Sequence, residues 1–223
     1  MRFICLIPAR KNSKRLKNKN FINLKGKPLV EWTLNLSNKI KFFNQIVLST
    51  DNKKIFKLNK KYPKILFLNR PKNISKGTTR MSSVITHALS HFKKQKKIFD
   101  AVVILQPTSP FRKVSTIIKA IKKFKKYKPD YLTTVIKLKH FQKPHSIFTK
   151  KNNRFLQSLN LKLDQNNKGK DYFSLDGGGI FIFRLPNKNY KLKGKAAFVE
   201  VKFPESIDID SKEDFEICKK FYN

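Results

Sequence analysis

The alternation of apolar and polar stretches is regular over the first 136 residues. Residues 2–7 are a compact apolar run of strand length, stopped by Pro8. A basic polar loop follows at 8–20, then a turn at Gly26-Lys27-Pro28, with Pro28 placed to open a helix. Leu29, Val30, Trp32, Thr33, Leu34 and Leu36 form one wide apolar face of that helix. Gln45–Ser49 is the next strand, Asp51 is an N-cap for a helix through Leu58, and Ile65–Leu68 is a third strand. A loop with Arg70-Pro71 and Gly77 leads to a helix from about Met81 to Phe92. Ala101–Leu105 is a continuous apolar strand, 114–126 an amphipathic helix, and Tyr131–Ile136 a further strand. Strands alternating with helices in this order predict a mostly parallel sheet with helices on both faces. The pattern breaks at 138–175, which is polar, rich in Lys and Asn, and reads as an excursion from the main sheet, a candidate dimerisation arm. Strands return at Gly178–Phe183 and Phe198–Val201. A helix over Glu213–Phe221 closes the chain, with Phe215, Cys218 and Phe221 or Tyr222 inward.

Composition narrows this picture. At 223 residues the chain is one domain, long enough to bury a core unaided. Its 51 Lys+Arg against 14 Asp+Glu give a net charge of +37, which raises the prospect of a polyanionic partner. A dedicated nucleic-acid binder concentrates its charge on one face, whereas these lysines recur in nearly every segment, from Lys53-Lys54 to Lys150-Lys151. The charge is therefore read as a solvated surface, with polyanion binding kept as the remote alternative. No apolar run reaches the roughly 20 residues of a membrane span, and the run Phe3–Ile7 is too short for a signal-peptide core. With two widely separated cysteines no disulfide framework is expected, and the chain reads as a soluble cytoplasmic protein.

Ligands of open α/β sheets bind where strands end at their carboxyl edge, and three polar segments leave strands there. In 8–20, Arg10, Lys14, Arg15, Lys17 and Lys19 carry enough charge to neutralise a triphosphate, or form an ordinary charged loop; the spaced glycines of a Walker loop are missing. In 106–112, Pro107 and Pro110 stiffen a loop that presents Gln106, Thr108, Ser109 and Arg112, with a rigid strand-to-helix turn as the plainer alternative. In Ser206-Ile207-Asp208-Ile209-Asp210, residues two apart share a side of an extended chain, so two carboxylates point one way. Such a pair suits Mg²⁺ shared with substrate phosphates, while Asp210 or Ser211 also reads as the cap of the last helix. His87 and His91 stand four apart on a helix, but with no evident third ligand they make a poor zinc site.

The same three segments, in order, resemble the acylneuraminate cytidylyltransferases (CMP-sialic acid synthetases). Ile7-Pro8-Ala9-Arg10-Lys11-Asn12-Ser13-Lys14-Arg15-Leu16, continuing to Lys19-Asn20, is similar to that family's opening loop. Leu105-Gln106-Pro107-Thr108-Ser109-Pro110-Phe111-Arg112 is similar to its second signature, and Ser206 through Ser211 with Asp214 to its C-terminal metal motif. Gly26-Lys27-Pro28-Leu29, Ser49-Thr50-Asp51 and Arg70-Pro71 ahead of His87-Ala88-Leu89 also fit, so the resemblance spans essentially the whole chain. It implies a Rossmann-like doubly wound sheet of the nucleotide-diphospho-sugar transferase type, working as a homodimer with no specific nucleic-acid or membrane partner. It implies Mg²⁺-dependent transfer of CMP from CTP to an acidic nine-carbon sugar. Arg10, Ser13, Lys14, Lys19, Asn20, Arg70 and Gln106 would bind CTP, and Gln106, Lys168, Lys170 and Phe181 the sugar. Asp208 and Asp210 would hold the metal, and Asp210, Lys19 and Arg10 would serve catalysis. The chain departs from the family at Lys11-Asn12, where Gly-Gly is usual, at 166–170, where an Arg-rich stretch is usual, and at Gly177-Gly178-Gly179. The second and third departures concern the sugar, so legionaminate, pseudaminate and an eight-carbon keto acid stand beside sialic acid as acceptors.

Overall fold

A computed structural model describes residues 1–13, 15–139, 148–150, 156–158, 171–175, 179–186 and 190–221. In chain order the strands are β1 (Phe3–Pro8), the short pair β2 (Asn23–Leu24) and β3 (Lys27–Pro28), β4 (Phe43–Thr50), β5 (Ile65–Asn69), β6 (Ala101–Leu105) and β7 (Tyr131–Lys137). They continue with β8 (Phe148–Lys150), β9 (Leu156–Ser158), β10 (Phe173–Leu175), β11 (Ile180–Arg184) and β12 (Ala196–Glu200). The α-helices are α1 (Leu29–Asn38), α2 (Met81–Lys93), α3 (Val114–Tyr127) and α4 (Lys212–Phe221).

Among the described residues the main sheet has eight strands in the order β10-β7-β11-β6-β1-β4-β5, with β12 also paired to β7. β1 lies between β4 and β6, parallel to both, with Cys5 opposite Ile46 on one side and Val103 on the other. The chain winds outward from β1 to β4 and β5, then crosses back to β6, so the strand order reverses between β1 and β6. β11 is antiparallel to both β6 and β7. Both faces of the central strands are covered, which explains their unbroken apolar runs. Cys5 and Ile7 pack with Val30 and Leu34 of α1 and with Ile117, Ile121 and Phe124 of α3. Ile4 and Leu6 pack on the other face with Val84, Ile85, Ala88 and Phe92 of α2.

The strand and helix expectations hold closely, with small corrections at caps. Pro28 precedes α1 instead of opening it. The segment after β4 is a 3-10 helix, Lys53–Lys61, capped by Asn52, whose side chain accepts from Lys54 N–H at 3.2 Å. Asp51 does not cap because its carboxylate accepts from Lys11 N–H at 2.6 Å. The β2–β3 hairpin turns through Lys25 and Gly26, both at positive φ, the backbone that a two-residue hairpin loop demands. Much of 138–175 lies outside the described residues. Its β8 and β9 form a separate antiparallel pair, whereas β10 rejoins the main sheet against β7. Phe221 is 47% exposed, its ring against Phe111 and Phe203, so of the two residues expected inward at the end of the last helix it is not the anchor, and the other, Tyr222, lies outside the described residues.

A third, smaller cluster matters most for function. Leu24, Leu29, Ile209 and Cys218 are buried together, with Leu16, Ile22, Trp32, Phe111, Ile207 and Phe215 packed around them. Leu16 comes from the first polar loop, Phe111 from the second, and Ile207 and Ile209 from the third. One apolar knot thus ties together three loops from distant parts of the chain. Ile209→Ala should cost about 2–5 kcal/mol of stability, the range for emptying a buried aliphatic site. Denaturant unfolding measures it, and an unchanged midpoint would show that the knot holds nothing.

Candidate active site

The first loop leaves β1 at Pro8. It is held from below by Ala9 N–H, which donates to the Ser49 carbonyl at 2.9 Å. Asn20 is buried, and its Nδ2 donates to the Arg10 carbonyl at 2.9 Å, closing the loop on itself. The second loop is set by Arg112, whose Nη2 donates to the Gln106 carbonyl at 2.9 Å. The third is joined to the second by Ile209 N–H donating to the Thr108 carbonyl at 2.9 Å. Ile207 and Ile209 turn into the apolar knot, while Asp208 and Asp210, alternating with them, face the cleft.

The cap of α4 is a reciprocal box. Asp214 Oδ2 accepts from the N–H of Asp210 at 2.9 Å and of Ser211 at 2.8 Å, and Ser211 Oγ accepts from Asp214 N–H at 3.2 Å. Burial opposes ionisation of Asp214, yet these two N–H donors, the Ser211 hydroxyl and Lys19 hold its carboxyl below the usual range. Ser211 and Asp214 therefore do the capping, and the Asp210 carboxylate is left for the cleft. Its Oδ1 accepts from Lys19 Nζ at 2.5 Å, and its Oδ2 forms an ion pair with Arg15.

All three loops wall one cleft of about 470 Å³ at the carboxyl edge of the sheet, beside the point where strand order reverses. Arg10, Ser13, Lys19, Asn20, Arg70, Gln106, Asp208 and Asp210 all line it. Arg70 is buried; its Nε donates to Ser49 Oγ at 3.0 Å and its Nη2 to the Ser49 carbonyl at 2.7 Å. Burial lowers its pKa to about 10, with Arg10 adding repulsion and Asp51 opposing the shift. Burial likewise raises the Asp208 carboxyl, against the pull of Thr108, Lys19 and Arg112.

Not every expected residue arrives. Lys14, Lys168 and Lys170 lie outside the described residues. Phe181 packs with Ile104 and Phe183 on the α2 side of the sheet and is not in the cleft wall, because its register opposite Ile104 and Thr133 sets which face it takes. Arg15, one of the loop cations singled out in the sequence, is in the wall, and the structure adds Lys76, Thr79 and Met81. The only available signal for the last three was position: the 70–80 loop also leaves a parallel strand at its carboxyl end.

The residues fit a hard divalent cation. Asp208 Oδ1 is buried and accepts no hydrogen bond. Among the described residues no third His, Cys, Asp or Glu joins the pair in a metal-binding group. Two carboxylates with room for phosphate oxygens match the sparse protein ligation of Mg²⁺ and not a closed structural metal site.

The sequence profile described as "Cytidylyltransferase" matches residues 4–222. The chain belongs to the cytidylyltransferase family. It is thus a nucleotidyltransferase, and its relatives carry related names. It is 28% identical to the CMP-N,N'-diacetyllegionaminic acid synthase of Legionella pneumophila, over 99% of this chain and 96% of that one. It is 29% identical to the N-acylneuraminate cytidylyltransferase of Escherichia coli, over 97% of this chain and 51% of that one, and so spans about half of that relative. It is 26% identical to a pseudaminic acid cytidylyltransferase of Campylobacter jejuni, over 100% of this chain and 97% of that one. Among solved structures, CMP:2-keto-3-deoxy-manno-octonic acid synthetase complexed with CTP superposes with a TM-score of 0.68 at 15% identity, covering 100% of this chain and 98% of that one. This likeness supports the Rossmann-like α/β fold of the cytidylyltransferase. None of its described helices is long and apolar enough to cross a membrane.

Proposed function

We propose that the protein transfers CMP from CTP to the anomeric hydroxyl of an acidic nine-carbon keto sugar, releasing pyrophosphate, in a Mg²⁺-dependent reaction. The observation that carries this reading is that a cationic loop and a twin-carboxylate loop, 191 residues apart at the Lys19–Asp210 contact, share one cleft. The names of the relatives above favour a nonulosonate acceptor and range over legionaminate, pseudaminate and N-acylneuraminate.

Arg10 and Lys19 hold the triphosphate, Arg70 and Ser13 flank it, and Gln106 offers a donor and an acceptor to base or sugar. Asp208 and Asp210 hold Mg²⁺, which, when bound, neutralises phosphate charge. The sugar hydroxyl attacks the α-phosphorus in line. The new bond is sugar oxygen to phosphorus, the broken one is phosphorus to the bridging oxygen, and pyrophosphate carries that electron pair away. Asp210 accepts the hydroxyl proton. Positioning and electrostatics supply most of the acceleration in such a transfer.

The protein works as a homodimer in this reading. Phe173, Leu175 and Phe198 are each at least 40% exposed, and the Phe173 and Phe198 rings lie 5.4 Å apart. They present apolar surface on β10, at the end of the 138–175 excursion, and on β12, suited to a second copy.

Pyrophosphate release, measured with each of the four nucleoside triphosphates against a panel of nonulosonic acids and an eight-carbon keto acid, tests the assignment. Release is expected only with CTP, only with a nonulosonate and only without chelator. Release with the eight-carbon acid alone would move the acceptor, and no release with any sugar would overturn the reading.

A further inference from the structure

Asp210 is the half of the carboxylate pair that is already satisfied. Lys19 takes one oxygen and Arg15 the other, so a cation arriving at Asp210 meets two positive groups. Asp208, by contrast, keeps a buried oxygen with no hydrogen bond. The two cations differ in kind. The Lys19 side chain is 16% exposed, and that of Arg15 is 76% exposed, so Lys19 is built into the floor and Arg15 reaches in from solvent. The backbone of Asp210 is pinned by Asp214, so the carboxylate cannot retreat from Arg15 by moving its main chain.

We infer that Arg15 is a latch on the metal site: without nucleotide it occupies Asp210 Oδ2, and an incoming triphosphate draws it off, so that the carboxylate becomes a cation ligand only once the nucleotide is in place. The inference rests on the proposed roles of Asp208 and Asp210. An ion pair with one end in solvent is weak, and such a contact is easily traded. A triphosphate offers the guanidinium several charged oxygens in bidentate geometry, a better partner than one carboxylate. Arg15 thereby acts on the metal through Asp210 and on the nucleotide by direct contact. Since coupling between ligands is reciprocal, the same latch makes bound metal favour nucleotide. The arrangement also guards the cleft from filling with a bare divalent cation before substrate arrives.

The test uses the full chain without nucleotide, titrated with Mn²⁺ and followed by electron paramagnetic resonance. Arg15→Gln should bind one Mn²⁺ about tenfold more tightly than wild type, within the usual span of coupling between sites. Lys17→Gln removes the same charge from the same loop, at an exposed position outside the cleft wall, and should stay within about twofold of wild type on screening grounds. With chelator present and no metal, Arg15→Gln should bind CTP about tenfold more weakly, because the latch is then a phosphate ligand. Equal Mn²⁺ affinities for wild type and Arg15→Gln would overturn the latch, as would an equal gain in Lys17→Gln, which would mark bulk charge as the cause. The double variant Arg15→Gln/Asp210→Asn should lose the gained site. If it retains the site, the cation does not sit on Asp210, and the metal assignment falls whatever Arg15 does.

Discussion

Asp210→Asn should lower turnover by about 10²–10³-fold, and Asp208→Asn by a similar factor, the scale seen when a group stabilising transition-state charge is removed. Each substitution keeps shape and size and removes one negative charge from the only two carboxylates in the described wall of the cleft. The effect on folding should be opposite for Asp208. Its side chain is half-buried with one oxygen buried and unpartnered, and burial pushes its pKa up. Ionised Asp208 is therefore a burden on the folded state, and a neutral amide there is cheaper to bury. Asp208→Asn should melt at or above the wild-type temperature while losing activity, the trade expected of a site arranged for chemistry. Pyrophosphate release and thermal unfolding, measured on the same preparations, check both halves. A variant with wild-type Mg²⁺-dependent turnover would remove Asp208 and Asp210 from the metal site.

Lys19→Ala should lower kcat/KM for CTP by about 10²-fold, close to 2.7 kcal/mol of transition-state stabilisation. Lys19 is mostly buried, lines the cleft and touches Asp210 at 2.5 Å, so its loss is felt by both the phosphates and the carboxylate pair. Arg10→Ala should act differently. Arg10 lines the cleft without an ion pair to either aspartate, so its loss should raise the KM for CTP about tenfold, with kcat little changed, as for binding shared by ground and transition states. A kcat/KM split measured at saturating sugar separates the two. Identical kinetic signatures for the two variants would contradict the division of labour that the geometry implies.

The order of elements was legible because each was locally consistent. Ala101–Leu105 is apolar without a break and is buried on both faces; the helix at 114–127 repeats its apolar residues every three to four positions and buries that stripe. The facing of Asp208 and Asp210 was legible too, since Ile207 and Ile209 alternate with them. Caps were less legible. Asp51 and Asn52 are both competent caps side by side, and what settles the choice is Lys11, forty residues away, whose N–H claims the Asp51 carboxylate. The same holds for Phe181: a strand has two faces, and only pairing with Ile104 and Thr133 assigns the ring to the α2 side.

By itself, then, the sequence determined the α/β alternation, the three polar loops at strand ends and the family to which they belong, because periodicity and short motifs are carried by neighbouring residues. Tertiary structure alone decided that Leu16, Phe111 and Ile209 share one apolar knot, that Lys76 and Thr79 complete the wall, and that Arg15 and Lys19 divide the two oxygens of Asp210. Those contacts join residues far apart along the chain. They are set by strand order and by which buried surfaces meet, and no local pattern encodes either.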